Sequence, residues 1–410
     1  MGPLIEPGKG FRDLKADWKC SSCSIFAALT SLVFVLSGAI PMLASVANSA
    51  GLTSRQAASF VMCSMAVGGI ISIIASLYYR TPFYFAASLT AIVVLAPMFE
   101  EFSIAEMVGG FIIAGVALFA IGATGLMGWI GEHLPLPVVL GMVAGVFMSY
   151  GLDIVSSIIK DPLSGCIIAG TFVVFPLITK KVPPHIIALT AGIVCAVFIH
   201  GSSFSGGFDD GAVGLSYPYI VMPDFSGNVA LTVSLPLVIM ALADVFKGYG
   251  VLKSNGYDMP LNTVTTLSGI GSVLAAFGIG HTISLAGPVI AILAGKDAGE
   301  KKTRFVGAVI YCCAVMIVCV LSGILIPVIM QLPETVIDLI CGLAMTGLLV
   351  SSLQGAFGAG KFHMGALAAF LIGLSKVTLF GIGAPVWAVV FGLIVSLCME
   401  REQWGKEIQR

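Results

Sequence analysis

The sequence predicts an all-α integral membrane protein, and three observations support this fold class. The first is composition: 58% of the 410 residues are hydrophobic, only 10% are charged and the mean hydropathy is +1.05, whereas soluble domains carry roughly 25% charged residues. The second is a series of about fourteen apolar stretches, most near the roughly 20 residues that a membrane-spanning helix needs. The third is that two of these stretches are short and occupy matching places in the two halves of the chain.

The apolar stretches are bounded by charges, by Gly/Pro turns or by polar clusters, and we interpret them as 14 transmembrane segments. In chain order they are Ser24–Ala47, Gln56–Tyr78, Pro82–Met98, Ser103–Ile130, Leu136–Ile158, Ser164–Thr179, Pro184–Ile199, Asn228–Phe246, Leu261–Ile279, Thr282–Ala294, Phe305–Met330, Thr335–Ser352, Phe362–Leu379 and Ala384–Met399. The third and tenth segments are too short to cross a membrane by a regular helix. They are predicted to be broken helices.

The distribution of Lys and Arg predicts the orientation, because cytoplasmic loops retain positive charge. If the N-terminus is inside and 14 segments cross, most Lys and Arg fall on the inner side, and the long loop that contains Asp209, Asp210 and Asp224 falls outside. We therefore expect a multi-pass protein of the inner (cell) membrane with both termini cytoplasmic. The predicted units are the N-terminal tail 1–23, the first 7-segment repeat 24–200, the outer loop 201–227, the second repeat 228–400 and the C-terminal tail 401–410.

Motifs for metal binding and for catalysis are absent from the sequence. Cys20 and Cys23 form a lone CxxC without a second pair or nearby histidines, so we expect cysteines that pack as small apolar residues and no metal site. There is no HExxH, no nucleophile elbow and no nucleotide-binding loop. We predict that the chain is not an enzyme, has no cofactor other than a proton as coupling ion, and binds no nucleic acid.

An internal repeat appears at an offset of 200 residues. The sequence GIISIIAS at 69–76 aligns with GIGSVLAA at 269–276, and each block leads into one of the two short segments. An odd number of segments in each half inverts the second half relative to the first. We therefore predict two inverted 7-segment repeats, with the broken segments 3 and 10 meeting near the middle of the membrane.

The breaks carry the polar residues that an anion site needs. A half-helix presents unpaired N–H groups and a partial positive charge at its N-terminus. Ser88 and Thr90 lie at the break of segment 3. In segment 10, Gly278 and Gly280 are expected to let the chain turn before Thr282 and Ser284, whose hydroxyls would stand at the start of the half-helix. Helix back-bonding or close packing remains an alternative for each hydroxyl.

Two titratable residues are the strongest functional candidates. His281 is the one histidine at a predicted break, although it could serve only to fix the turn. Asp244 lies inside segment 8, where a charge at the centre of a membrane helix costs roughly 2.5 to 3.5 kcal/mol on insertion scales. Lys247 follows three residues later, so a simple ion pair on one helix face is the alternative for Asp244.

These residues fall in stretches that resemble a known family. The sequences GLTSRQAASFVMCSMAVGGIISIIASLYYRTPFYFAA, GVLKSNGY, GIGHTISLAGPVIAILAG and IDLICGLAMTGLLVSSLQGAF are similar to the benzoate/proton symporters. The resemblance implies the fold of the uracil and other nucleobase permeases, with a core domain of segments 1–4 and 8–11 and a gate domain of segments 5–7 and 12–14. It also implies a substrate site between segments 3 and 10, close to segment 8.

The chain departs from the family pattern at the site itself. Segment 3 has Ala-Ser-Leu-Thr-Ala at 87–91 where the family has Trp-Ser-Thr-Pro-Gly, and segment 10 has Ser284 where the family has Asn. Asp244 replaces a glutamine and resembles the acidic residue of the nucleobase permeases. Fold and transport survive these changes, but they put benzoate itself in doubt.

The leading hypothesis is proton-coupled symport of a small organic anion, benzoate or a related aromatic carboxylate, by movement of the core against the gate. The expected substrate-binding residues are Ser88, Leu89, Thr90, Asp244, His281, Thr282 and Ser284, with Asp244 and His281 also expected to couple the proton. A nucleobase permease on the same fold is the alternative, followed by an anion channel or exchanger. The expected partners are the anion, membrane lipid and a second copy in a homodimer.

Overall fold

In the computed structural model, the described residues are 5–12, 14–128, 135–178, 184–199, 201, 214–330, 332–358, 360–375, 377, 379 and 384–407. The fold is mostly helical, and one helix or a pair of helices lies in each apolar stretch that the sequence indicated. Five of the described helices are long and apolar enough to cross a membrane by length and composition: Ser54–Tyr79, Ile104–Ala123, Leu136–Lys160, Gly227–Lys253 and Lys301–Val320. Asp209 and Asp210 of the predicted outer loop lie outside the described residues.

The first half of the chain contains nine α-helices and one short strand among the described residues. They are α1 (Leu14–Asp17), α2 (Ser22–Phe34), α3 (Ile40–Ser49), α4 (Ser54–Tyr79), β1 (Phe85–Ala87), α5 (Leu89–Glu101), α6 (Ile104–Ala123), α7 (Leu136–Lys160), α8 (Pro162–Ile178) and α9 (Pro184–Phe198). A π-helical turn, Val35–Ala39, joins α2 to α3 without a break.

The second half contains ten α-helices and one short strand among the described residues. Its elements are α10 (Gly227–Val229), α11 (Leu235–Ser254), α12 (Leu261–Ala276), β2 (Ile283–Leu285), α13 (Gly287–Ala294), α14 (Arg304–Val320), α15 (Ser322–Met330), α16 (Glu334–Phe357), α17 (His363–Ser375), α18 (Ala384–Met399) and α19 (Arg401–Glu407). A second π-helical turn, Ala230–Ser234, joins α10 to α11. Two 3₁₀ turns, Lys296–Ala298 and Lys301–Thr303, connect α13 to α14.

Local sequence explains where several of these helices begin and end. Thr53 and Gln56 form a capping box at the start of α4, and Ser103 and Glu106 form another at the start of α6, so the first N–H groups of both helices are satisfied. Arg80 ends α4 in the left-handed conformation, with φ 56°. Each π-helical turn is followed within two residues by a proline, which has no N–H to donate back into the turn before it.

The helices pack in two groups. The first bundle consists of α2–α6 and α10–α15, in which α4 packs on α14 and α6 packs on α12. The second bundle consists of α7–α9 and α16–α18, in which α7 packs on both α16 and α17. Contacts between the bundles run mainly from α3 to α16 and from α5 and α11 to α7. The two short strands lie inside the first bundle, where every strand residue is buried.

The strands β1 and β2 pair with each other and form an antiparallel two-stranded sheet. Ala86 lies opposite Ser284 in the register, and the backbone pairing continues beyond the strands through the N–H of Ser88, which donates to the carbonyl of Thr282 at 2.9 Å. Extended backbone in a largely apolar interior must satisfy its N–H and C=O groups, and pairing of the two breaks does so. The structure therefore brings the third and tenth segments together, as the sequence predicted.

A serine on the preceding helix supports each strand in the same way. Ser72 Oγ donates to the carbonyl of Gly68 and accepts from the N–H of Phe85 at 2.7 Å. Ser272 Oγ donates to the carbonyl of Ser268 and accepts from the N–H of Ile283 at 2.8 Å. The two serines are 200 residues apart, which is the offset of the sequence repeat. Sequence reasoning aligned them without recognising this role.

The turn before His281 differs from the expectation. Ile279, not a glycine, takes the left-handed conformation, with φ 67°. The flanking glycines make room for α4 instead: a Cβ on Gly278 would overlap the thiol of Cys63, and one on Gly280 would lie 2.9 Å from the backbone carbonyl carbon of Cys63. Close approach of α4, through the Cys63 side chain at Gly278 and through its backbone at Gly280, is the reason for glycine there, rather than a positive φ.

Candidate functional site

The start of α5 forms one side of the candidate site. Ser88 caps this helix, because its Oγ accepts from the N–H of Ala91 at 3.3 Å. The same hydroxyl donates to Asp244 Oδ2 at 2.7 Å, and Thr90 Oγ1 lies 2.9 Å from the same oxygen. Thr90 Oγ1 is also 3.2 Å from the carbonyl of Met240, so its proton is shared between two acceptors. The first half-helix therefore begins as predicted, with its hydroxyls directed at α11.

Asp244 is the centre of this group. Its side chain is about nine-tenths buried, and Oδ2 accepts from two hydroxyls while Oδ1 lies 3.7 Å from Lys247 Nζ. Hydrogen bonds to an ionised group are roughly twice as strong as neutral ones. We call Ser88, Thr90, Asp244 and Lys247 the carboxylate cluster. The ion pair with Lys247 that the sequence offered as an alternative is present, but it is only one part of this cluster.

Lys247 lies where the two bundles meet. Its Nζ is inaccessible to solvent and donates no hydrogen bond within the described part of the chain. It lies 5.7 Å from the ring centroid of Phe147, a buried residue of α7 in the second bundle. Sequence reasoning treated Lys247 only as a partner for Asp244. The signal that could have marked it is the same one that marked Asp244, a charge within an apolar helix.

We call β1 with the start of α5 the first crossover, and β2 with the start of α13 the second crossover. In the second crossover, the helix begins later in the chain than predicted. The sequence placed the start of the half-helix at Thr282–Ser284, but Ile283–Leu285 is a strand and α13 begins at Gly287, with Pro288 in its first turn. Proline is favoured at this position because its missing N–H would have no partner there. Gly287-Pro288 therefore starts the half-helix and does not kink its interior. No side chain caps α13.

Ser284 and Thr282 occupy different environments on this strand. Ser284 Oγ donates to the carbonyl of Ala241 at 2.7 Å, so it faces α11 one turn before Asp244. Thr282 is fully buried, and its Oγ1 has no hydrogen-bond partner among the described residues. Only the backbone of Thr282 contacts the other crossover, through the N–H of Ser88.

His281 lies away from the carboxylate cluster. Its backbone N–H donates to Ser64 Oγ at 3.2 Å, and its fully buried ring lies 5.7 Å from that of Phe60 and 6.4 Å from that of Phe111. Neither ring nitrogen has a hydrogen-bond partner among the described residues. We call His281, Phe60, Phe111 and Ser64 the histidine pocket. No hydrogen bond or ion pair of the described chain connects it to Asp244.

Leu89 faces a different surface again. It lines an apolar cleft with about 300 Å³ of empty space on the side of the crossovers that faces α2 and α3. The cleft is lined by Phe34, Val35, Ala39, Leu43, Met65, Tyr84, Ala86, Ala87, Leu89, Ala286 and Val289. The crossovers thus present hydroxyls toward α11 and apolar side chains toward α2 and α3.

The predicted site residues therefore divide into three groups. The structure brings Ser88, Thr90 and Asp244 into hydrogen-bond contact. Ser284, on β2, donates to the carbonyl of Ala241 on α11, one turn before Asp244. Leu89 lines the apolar cleft on the side of α2 and α3, whereas the ring of His281 lies near Phe60 and Phe111, and the hydroxyl of Thr282 has no partner among the described residues. In the described ranges, no three His, Cys, Asp or Glu side chains are grouped as metal ligands.

Comparison with known proteins gives the family. Residues 18–398 match the profile of the family described as benzoate membrane transport protein. The benzoate membrane transport protein of Acinetobacter baylyi (strain ATCC 33305 / BD413 / ADP1) is 25% identical over 387 residues, covering 93% of this chain and 96% of that protein. The inner membrane protein YdcO of Escherichia coli (strain K12) is 24% identical over 364 residues, covering 87% of this chain and 91% of that one.

Solved structures with the same fold are anion transporters by title. The transmembrane domain of a cyanobacterium bicarbonate transporter, BicA, has a TM-score of 0.59 at 15% identity, covering 94% of this chain and 98% of that one. Murine Solute Carrier 26 family member A9, described as an anion transporter in the inward-facing state, has a TM-score of 0.61 at 13% identity, covering 95% of this chain and 71% of that one. At these identities the likeness shows the fold alone.

Proposed function

We propose that this chain, which belongs to the benzoate membrane transport protein family, couples the uptake of a small organic anion to the entry of a proton. Its relatives are membrane transporters, and the chain is a transporter rather than an enzyme. The proposal concerns the substrate, an aromatic carboxylate such as benzoate, and the coupling ion. No other cofactor is proposed.

The observation that carries the proposal is the carboxylate cluster. Asp244 accepts from the hydroxyls of Ser88 and Thr90 at the start of the half-helix, and its ion-pair partner Lys247 lies beside Phe147 of the second bundle. A carboxyl group in this position can bind a proton when the site opens to one side and release it on the other, because its hydration and its neighbours change with access. We propose Asp244 as the group that carries the proton.

The arrangement of the helices supports a mechanism of alternating access. We propose that the first bundle is the core and the second bundle is the gate, and that the two halves of the chain are inverted 7-segment repeats. Paired strands at the two breaks and serines 200 residues apart support the repeat. Movement of one bundle against the other would change the contacts of α5 and α11 with α7, where Asp244 and Lys247 lie.

We propose a location in the inner membrane, with both termini in the cytoplasm, and a homodimeric assembly. The positive charges of the predicted inner loops support the orientation, and the similarity to an inner membrane protein of Escherichia coli supports the location. The prediction that His281 contributes to coupling stays a prediction. No hydrogen bond or ion pair of the described residues joins its ring to Asp244, so we propose that Asp244 carries the proton without it, and the two residues are tested separately.

Uptake by proteoliposomes tests the function. Purified protein is reconstituted, a pH gradient is imposed with the outside acidic, and accumulation of labelled benzoate is compared with that of labelled uracil. We expect benzoate to accumulate above its outside concentration with the gradient and to equilibrate without it. Benzoate uptake that ignores the gradient, measured in liposomes corrected for protein-free leakage of the neutral acid, would contradict the proton coupling.

A nucleobase permease is the second candidate function, and the Asp244 carboxylate favours it, since a carboxylate can accept from ring N–H groups. Accumulation of uracil but not benzoate in the same vesicles would establish it. An anion channel or exchanger on the same fold is the third. Benzoate release that requires bicarbonate or another anion on the opposite side would distinguish exchange from symport.

A further inference from the structure

We propose that the ammonium of Lys247 binds the carboxylate of the transported anion, and that this anion replaces ionised Asp244 as its counterion when Asp244 takes up a proton. The inference rests on the proposed function and specifies how its site works. It assigns a binding role to a residue that so far is only the partner of Asp244.

The hydrogen-bonding state of the cluster supports this assignment. Asp244 Oδ2 is saturated by Ser88 and Thr90, whereas Oδ1 lies 3.7 Å from Lys247 Nζ, too far for a good hydrogen bond. An ammonium has three N–H donors, and in the described structure none of the three is used although the atom is buried. Buried donors without partners are costly. An additional acceptor at this position would satisfy them, and a carboxylate is the best match in charge.

The surroundings of Lys247 suit an anion of this kind. The start of α13 lies beside it, since a Cβ on Gly287 would be 3.7 Å from Lys247 Cβ, and that helix has no side-chain cap. A helix N-terminus favours negative charge. On the other side, Phe147 presents its ring to the ammonium from the second bundle. Lys247 thus lies at the junction of three elements: its Cβ is beside the start of α13, and its ammonium faces Phe147 of the second bundle.

The charge balance explains coupling. Asp244 and Lys247 are the charged groups that act on one another here. The other elements packed on them bring hydroxyls from α5, the ring of Phe147 from α7, and Leu285 and Gly287 from β2 and α13. The empty site holds one negative and one positive charge. An added carboxylate would leave an uncompensated buried charge, which is costly; one proton on Asp244 restores neutrality. One anion and one proton therefore enter together.

The test compares variants that change one member of the Asp244–Lys247 ion pair with a double variant that removes both charges. Equilibrium binding of labelled benzoate to purified protein is measured from pH 5 to pH 8, together with proton uptake in weakly buffered solution. The variants are Asp244→Asn, Lys247→Arg, Lys247→Met and the double variant Asp244→Asn with Lys247→Met. Lys253→Met is the matched control, because Lys253 lies on the same helix but is exposed, with its ammonium 5.2 Å from the ring centroid of Tyr249.

We expect the wild type to take up about one proton for each benzoate bound. Asp244→Asn should bind benzoate with an affinity independent of pH and without proton uptake, because Lys247 is then permanently free for the anion. The double variant should bind at least about tenfold more weakly than Asp244→Asn, which is the loss expected for hydrogen bonds to a charged group. Lys247→Arg should retain binding within that factor, and Lys253→Met should match the wild type.

Two outcomes separate this inference from the proposed function. If the wild type accumulates benzoate with the pH gradient but the double variant binds as well as Asp244→Asn, the role of Lys247 is wrong and the proposed function stands. If the wild type neither binds nor accumulates benzoate, the proposed function fails first. The double variant contains no unpaired charge, so it keeps the comparison valid even if Lys247→Met alone does not fold, which size-exclusion chromatography would show.

Discussion

The carboxylate cluster and the histidine pocket lie on the same pair of crossovers, yet their chemistry differs. In the cluster, the hydroxyls of Ser88 and Thr90 donate to Asp244, and the ammonium of Lys247 lies 5.7 Å from the ring centroid of Phe147 in the second bundle. In the pocket, the imidazole of His281 lies between two aromatic rings, and its nitrogens have no partner among the described residues. The difference teaches that a titratable residue at a helix break need not share in the hydrogen bonds of the other polar residues at the breaks.

The largest expected effect is on the coupling of benzoate uptake to the pH gradient, which should depend on the carboxylate cluster and not on the histidine pocket. Asp244→Asn should abolish pH-driven accumulation of benzoate in proteoliposomes, because the site can no longer bind the proton. His281→Phe should keep the pH dependence, because Phe fills the space between Phe60 and Phe111 and removes two unpartnered nitrogens. The measurement is the ratio of uptake with the gradient to uptake without it.

Thermal unfolding of the purified variants is the control for that comparison. Replacement of a buried polar group without partners by an apolar group of similar shape is nearly neutral or stabilising, so His281→Phe should unfold at a temperature no lower than the wild type. If a folded His281→Phe protein transports benzoate without regard to the pH gradient, His281 takes part in proton coupling and the predicted difference between the two regions is wrong.

A smaller effect is expected from the hydroxyls of the cluster. Ser88→Ala and Thr90→Val each remove a donor to ionised Asp244, and such a bond contributes about 1.5 to 3 kcal/mol. The protonated form is then favoured, so the alkaline limb of the pH profile of uptake should move about 1 to 2 pH units higher. Ser284→Ala is the matched control, because its hydroxyl donates to the carbonyl of Ala241 rather than to a carboxylate. Equal shifts in all three variants would show that the effect is not specific to Asp244.

The smallest effect is expected from the scaffold, which both regions share. Ser72→Ala and Ser272→Ala should each lower the free energy of unfolding by about 1 to 3 kcal/mol, since each leaves a buried strand N–H without its acceptor. The losses should be similar, and the ratio of uptake with and without the gradient should not change. Thr30→Ala, at an exposed position, controls for the loss of a hydroxyl as such. A loss confined to one serine would show that the two crossovers are supported differently.

The sequence alone predicted much of the fold because membrane helices have a strong compositional signal. The apolar stretches, the two short segments and their meeting at the breaks were all predicted from hydropathy and repeat spacing. Details of the second crossover were not. Whether a short polar stretch such as His281–Leu285 forms a helix or a strand depends on a partner for its backbone, and that partner, β1, lies about 200 residues away in the chain.

Two kinds of information about this protein can now be separated. The sequence determined that the chain lies in a membrane, and it predicted two breaks, with Asp244 inside segment 8, Lys247 three residues after it and His281 at the second break. Only the tertiary structure decided that Ser88 and Thr90 donate to Asp244 and that His281 contacts aromatic rings. The physical reason is that burial of a polar group can be predicted from its own helix, whereas the partner that satisfies it comes from another part of the chain.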